Sequence, residues 1–248
     1  MKKIYYYWTG GEMTENERIC IESWKRVMPD YEIEKIPDHY GYDECRFSQI
    51  AQKSKNYAFL ADVARIKWLK EHDGIYLDTD MFMVRRIPDE ILNAGFVFSA
   101  ETNNKVTNYN NAFILKNKHG QHVIDEWWKE IKNLNRCCYP PYQIRPILER
   151  INHDNVLFLN PEFAEPLNSL YFYKPKNLDE YYQKKSNLND KTCLIHLHSG
   201  YSIKSENSPT KEYTKYIKEN FLYEKIIEFI EKHTDPALGL KELFEKMC

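Results

Sequence analysis

No stretch of this sequence holds the roughly 20 consecutive apolar residues that a membrane-spanning helix needs. Charge of one sign is not in excess either: 35 Lys and Arg stand against 37 Asp and Glu over 248 residues, for a formal net charge of −2. Acids and bases are interspersed, so the basic stripe that nucleic-acid binding requires is missing and no nucleic-acid partner is expected. The six cysteines form no Cys-x-x-Cys pair and none stands at zinc-finger spacing from a histidine, which argues against a structural zinc module. The adjacent Cys137 and Cys138 are expected to contribute packing. The apolar run at Ile4 to Trp8 is too short for a signal peptide and reads as a strand. Together with the unpaired cysteines, this gives the expectation of a reduced, cytoplasmic protein. Internal repeats are lacking too.

What remains is a chain long enough for one sizeable core, or for one domain with a helical appendage. Aromatic residues make up 15% of it, with 19 Tyr and 5 Trp. Packing accounts for most of them, but flat rings with a polar edge also stack on bases and sugars. Strand signals fall at Lys3 to Trp8, Tyr31 to Ile36, Ile75 to Leu77, Gly95 to Ala100, Asn111 to Leu115, Val156 to Leu159 and Cys193 to His198. Helical spacing marks Glu15 to Val27, Tyr57 to His72 and Gln121 to Asn133, with Gly74 placed for a left-handed cap after the second of these. Strands alternating with helices predict an α/β fold on a largely parallel sheet. Pro175 to Lys191 is polar and reads as a loop. From Thr210 the chain reads as helical with a solvated, mixed-charge face.

Chemistry concentrates at Gly74-Ile75-Tyr76-Leu77-Asp78-Thr79-Asp80. A short apolar strand delivers two carboxylates one residue apart. If extension persists through Asp80 the two face one pocket, because strand side chains alternate; a turn there would split their roles. Converging carboxylates suit a hard divalent cation, and such a cation suits a diphosphate. The triplet alone is common, and a solvated turn is its plainer reading. On the preceding helix Asp62 and Arg65 lie three apart and share a face. They are either a surface ion pair of little worth or a guanidinium and carboxylate aimed at phosphate and hydroxyls.

The spacing of Phe59-Leu60-Ala61-Asp62-Val63-Ala64-Arg65 before this acidic run resembles glycosyltransferase family 32. Those are the DXD-containing transferases of capsular polysaccharide and mannan synthesis, similar also to the catalytic domain of the large clostridial glucosylating toxins. Tyr6-Tyr7-Trp8-Thr9-Gly10-Gly11 resembles the family's opening, and Trp24 with Pro29-Asp30-Tyr31 a following element. Asn110-Asn111-Ala112-Phe113 and Ile195-His196 resemble later ones, so the likeness runs over about residues 3 to 203. It implies a GT-A fold, Rossmann-like, with a mostly parallel central sheet flanked by helices. The expected organisation is a transferase domain over 1–205 and a helical extension over 206–248 packed on it.

The resemblance also implies roles. Trp8 would stack on the nucleotide base, with Gly10 and Gly11 letting backbone approach it. Asp62 and Arg65 would contact donor-sugar hydroxyls and the diphosphate side. Tyr76 would line the ribose region, Asp78 would reach the ribose or donor sugar, and Asn111 would sit near that sugar. Asp80 would ligate Mn2+ or Mg2+, with Asp78 and either His196 or His198 completing the site; Ser199 is a further contender. The run His196-Leu197-His198-Ser199-Gly200-Tyr201 lacks the tryptophans common after the family's late histidine.

The expected activity is metal-dependent, retaining transfer from a nucleotide sugar, UDP-linked by expectation, to a saccharide acceptor. A capsule, O-antigen or other cell-surface glycan is the expected product. A lipid-linked acceptor would bring the enzyme to the inner face of the cytoplasmic membrane as a peripheral protein. A toxin-like transfer to a protein acceptor is the alternative. A haloacid-dehalogenase-like phosphatase would instead use Asp78 as nucleophile, but Phe82 and the absence of a later acidic pair fit that scheme poorly. A sugar-binding module without catalysis would need no metal-dependent leaving-group site.

Overall fold

The computed structural model describes residues 2–103, 106–134, 144, 146–147, 150–151, 153–164, 188–197 and 222–247. Cys137, Cys138, His198 and Ser199, most of the expected 175–191 loop, and the start of the helical region after Thr210 lie outside the described residues.

A six-stranded sheet forms the centre, in the order β2-β1-β3-β6-β5-β7. Its strands are β1 (Lys3–Tyr6), β2 (Glu32–Lys35), β3 (Gly74–Leu77), β5 (Phe96–Asn103), β6 (Val106–Lys116) and β7 (Val156–Leu159). β1 runs parallel to β2 and β3, and β5 parallel to β7, while β6 is inserted antiparallel between β3 and β5. Alternation along these strands sorts side chains into two cores. Ile4, Ile75, Leu77, Val97, Phe113 and Leu115 point to one face, and Tyr5, Tyr76, Phe96, Phe98 and Ile114 to the other. A sheet covered on both faces needs apolar residues at consecutive positions, which is why β3 is buried throughout.

The first face is covered by α1 (Glu15–Val27) and, from late in the chain, by α6 (Pro161–Ala164), α7 (Leu222–His233) and α8 (Leu240–Glu245). The second is covered by α2 (Arg46–Lys53), α3 (Tyr57–Glu71) and α5 (Gln121–Lys132); α4 (Asp89–Leu92) is a single turn after β4. Helix α3 starts where the Asn56 side chain accepts a hydrogen bond from the Phe59 backbone amide at 3.2 Å, which satisfies one of the first-turn donors. Eight of its residues are buried, Asp62 and Arg65 among them. That overturns the reading of these two as a surface pair.

A second sheet of two strands, β4 (Met81–Met83) and β8 (Leu194–His196), is antiparallel and sets Met81 opposite His196. Phe82 of β4 meets Phe244 of α8 edge to face at 5.1 Å, and Arg26 of α1 donates to the Leu238 and Gly239 carbonyls at 3.0 and 2.9 Å. These contacts seat the last two helices on the first core.

Gly74 differs from expectation. It is not a left-handed cap but the first residue of β3, with φ 156°. A Cβ there would lie 2.6 Å from the Tyr5 ring and 3.0 Å from the Lys3 carbonyl oxygen. Close approach of β1 to β3 is what demands glycine. The sequence reading also passed over α2, α4, β4 and α6. Helix α2 is opened by Cys45 and Ser48 bonding reciprocally, a cap whose cysteine is outside the usual start signals, and β4 is too short to show a period.

Candidate active site

Strand β3 ends at Leu77 and the chain turns at once: the Met81 amide donates to the Asp78 carbonyl at 3.1 Å. The turn, rather than continued extension, sets the two aspartates. Asp78 stays at the carboxyl end of β3, its amide donating to the Ala112 carbonyl at 2.8 Å. Asp80 is carried to the mouth of the small sheet, where the Leu197 amide donates to its carbonyl at 2.9 Å and His196 Nε2 lies 3.2 Å from its Oδ1. Even so, Asp78, Asp80 and His196 each offer a ligand atom, all within 4.8 Å of one another. Asp80 and His196 are both 8% exposed, and the Asp78 side chain is 25% exposed. Two carboxylate oxygens and an imidazole form a donor set that fits Mn2+ or Mg2+.

Behind Asp78 sits a buried charge cluster. Arg65 Nη2 lies 2.9 Å from Asp78 Oδ1 and 3.3 Å from Asp62 Oδ1, and Nη1 donates to Asp78 Oδ2 at 3.2 Å and to the Asn111 carbonyl at 2.6 Å. Its Nε donates to the Ala61 carbonyl at 3.3 Å. The guanidinium also lies 4.6 Å from the centre of the Tyr76 ring, whose hydroxyl donates to Asp78 Oδ1 at 3.0 Å. The Asn111 amide donates to Asp62 Oδ1 at 2.7 Å. Burial by itself would lower the Arg65 pKa, but Asp78, Tyr76 and Asp62 outweigh it and hold the group charged. Burial pushes Asp62 up to about 6, against the opposing pull of Arg65 and Asn111. It also raises the Tyr76 phenol well above its ordinary value, which keeps it a donor.

A bulge in β6 delivers Asn111. Phe98 pairs with Ile114 but Ser99 with Asn110, leaving residues 111–113 without partners in β5. Asn110 closes the bulge by accepting the Ala112 amide at 2.6 Å, and the freed Asn111 and Ala112 carbonyls turn to Arg65 and Asp78. A bulge that re-aims side chains beside a site is a recurring use of the device.

Asp62, Arg65, Tyr76, Asp78 and Asn111 thus come together in one network, and Asp80 and His196 join it through Asp78. Tyr76 is fully buried behind Asp78, so it props the carboxylate rather than lining an open cleft. Trp8 follows β1 half-buried, its indole donating to the Gly11 carbonyl at 2.8 Å. The space Gly10 leaves at φ 90° is filled by the Tyr57 ring, 2.5 Å from where a Cβ would stand, whereas Gly11 has nothing within 4 Å. Ser23 and Trp24, which touch the backbone of β4, were not singled out as site residues by sequence reasoning.

The architecture is that of a GT-A glycosyltransferase. It is shared with a glycosyltransferase involved in glycosylating the major capsid of PBCV-1, with TM-score 0.51 and 10% identity over 86% of this chain and 97% of that one. The glycosyltransferase GlyE of Streptococcus pneumoniae gives TM-score 0.51 and 15% identity over 99% of this chain and 63% of that one. Residues 14–97 match the family described as the glycosyltransferase sugar-binding region containing DXD motif. Two curated proteins are similar. An uncharacterized glycosyltransferase of Acanthamoeba polyphaga mimivirus is 43% identical over 72 residues, 29% of this chain and 28% of that protein. The "Subversion of eukaryotic traffic protein A" of Legionella pneumophila is 27% identical over 154 residues, 50% of this chain and 24% of that protein. The chain thus spans about a quarter of the length of the curated relatives it matches. Among the described residues no helix is long and apolar enough to cross a membrane.

Proposed function

We propose that this protein transfers a sugar, with retention at the anomeric carbon, from a nucleotide-sugar donor (UDP-linked in this reading) to a saccharide acceptor of a bacterial cell-surface glycan. The observation that carries the reading is the convergence of Asp78, Asp80 and His196 within 4.8 Å at the carboxyl end of β3, with both aspartates inside the segment that matches a DXD sugar-binding region. In open α/β sheets ligands bind outside the carboxyl ends of the strands. Asp80 and His196 would hold Mn2+ or Mg2+, with Asp78 toward the ribose and donor sugar. The bound cation supplies Lewis-acid neutralisation of the charge on a departing diphosphate. Arg65 and Tyr76 hold Asp78 in one orientation, so the site is set before substrate arrives. Asp62 and Asn111 accept and donate toward sugar hydroxyls next to them, and Trp8 offers its ring to the base.

The same grip on Asp78 argues against a phosphatase. A carboxylate bonded by Arg65 and Tyr76 through both oxygens is a poor nucleophile. Residues 1–205 form the transferase domain in this reading and 206–248 its helical extension. A lipid-linked acceptor would hold the enzyme at the cytoplasmic face of the inner membrane. The likeness to the Legionella protein, whose name describes subversion of eukaryotic traffic, keeps a protein acceptor as the second reading.

A panel of nucleotide sugars assayed for Mn2+-dependent hydrolysis, then for transfer to a lipid-linked saccharide fraction or to proteins, tests both readings. Nuclear magnetic resonance of the product reads the anomeric configuration. Asp80→Ala is expected to abolish metal-dependent turnover while the protein stays folded. Near-normal turnover of that variant with added Mn2+ would sink the metal assignment.

A further inference from the structure

We infer that Ser23 and Trp24 of α1 are positioning residues for the Asp80–His196 centre, an inference that rests on the metal-site reading above. Strand β4 has three residues and a single strand partner, β8. A two-stranded ribbon this short is not stable by itself. Its other edge turns the Met81 carbonyl and the Met83 amide away from β8, and both residues are 0% exposed. Buried backbone groups must find partners. Here side chains of a helix provide them: Trp24 Nε1 donates to the Met81 carbonyl at 2.6 Å, and the Met83 amide donates to Ser23 Oγ at 2.8 Å. Ser23 Oγ in turn donates to the Cys20 carbonyl at 2.5 Å, which fixes the rotor that receives Met83. Ser23 and Trp24 are themselves 0% exposed.

Helix α1 therefore stands in for the missing strand on one side of β4, while β8 supplies the other side. Asp80 lies between these two holds. Its own carbonyl is bonded to Leu197, and the next carbonyl along the chain is bonded to Trp24. Across the small sheet, Met81 faces His196. Any rotation of β4 about its axis would carry Asp80 away from His196, and the indole and hydroxyl of α1 oppose that rotation. Neither side chain reaches the carboxylate cluster, so the effect on a bound cation is transmitted through the backbone of β4.

The test compares Trp24→Phe, which keeps most of the ring and removes the donor, and Ser23→Ala with a control on the opposite face. Trp127→Phe serves as that control, because Trp127 is 1% exposed in the second core and its indole nitrogen has no partner among the described residues. Mn2+ alone is titrated into each purified protein and the free ion followed by electron paramagnetic resonance, with Asp80→Ala as the baseline. Amide exchange at Leu197 is measured alongside. Both α1 variants should bind Mn2+ about tenfold more weakly, at the lower end of the loss seen when support for metal ligands is removed, and should exchange the Leu197 amide faster. Trp127→Phe should do neither. Wild-type Mn2+ affinity and unchanged Leu197 exchange in folded Ser23→Ala and Trp24→Phe would overturn the inference. If the unaltered protein takes up no Mn2+, the metal reading fails separately, and the Leu197 exchange alone decides the positioning claim.

Discussion

Arg65 is the residue on which the site's electrostatics turn. It touches two carboxylates, two backbone carbonyls and an aromatic face at once, a set that a planar fork of donors can satisfy and a lysine ammonium cannot. Removing it leaves Asp62 buried without its counter-charge and Asp78 without its main partner. Arg65→Ala is thus expected to lose roughly 3–5 kcal/mol of stability, read by urea denaturation. Asp62 makes a prediction of opposite sense. Its folded pKa of about 6 stands above the ordinary aspartate value of 3.8, so folding favours the protonated form. Its contribution is fully present below about pH 4 and fades as pH rises through about 6, by an amount on the order of 2–3 kcal/mol. Asp62→Asn should flatten that part of the stability–pH curve, and denaturant midpoints between pH 4 and 7 would show it. The sequence made the Asp62–Arg65 spacing readable. Arg65's reach to the Asn111 carbonyl was hidden, because it depends on a bulge in a strand more than forty residues away.

At the scale of elements, legibility followed burial pattern. Helices α1, α3 and α5 and strands β1, β2, β3 and β7 lie within a residue or two of their expected spans, α1 and α5 by an apolar face, α3 by its long apolar stretch and the strands by alternation or a bounded apolar run. Of the elements that went unread, α2 is amphipathic but opens at a cysteine rather than at a usual cap residue, and the other three are too short to show a period. Strand β4 has three residues and α4 and α6 four each, and their existence depends on partners distant in the chain. Gly74 is a case where the residue type was informative and the assigned cause was wrong: β1 and β3 approach too closely there for a side chain. Gly74→Ala must displace the Tyr5 ring or separate the two strands, and is expected to cost about 1–3 kcal/mol. A lowered melting temperature with an unchanged far-ultraviolet circular dichroism spectrum would confirm it.

Across the whole molecule, the central sheet separates two cores with different duties. The second core backs Arg65 and Asp62 through α3; the first backs Asp80 and His196 through α1, β4, β8 and the last two helices. Phe244 is the largest contribution of those helices, 1% exposed and packed on Phe82 and Tyr223. Phe244→Ala is expected to lose roughly 3–5 kcal/mol, measured by chemical denaturation. A cation that binds only the folded state stabilises it by mass action, so saturating Mn2+ should raise the melting temperature of the protein and leave that of Asp80→Ala unmoved. The two cores were not legible as separate bodies in the sequence, because consecutive residues of one strand belong to different ones.

The small sheet has a consequence in time as well as in space. Asp80 directly precedes β4, whose partner strand β8 carries His196 and lies more than a hundred residues further along the chain. Closing so long a loop is entropically costly and comes late in folding. During synthesis, β1, β3 and α3 can assemble while β8 is still unmade, so a nascent chain would hold the Arg65 network before it could hold a cation. The centre that gathers Asp78, Asp80 and His196 therefore waits for β8: a chain stopped before residue 196 would lack it, however well its first strands had paired.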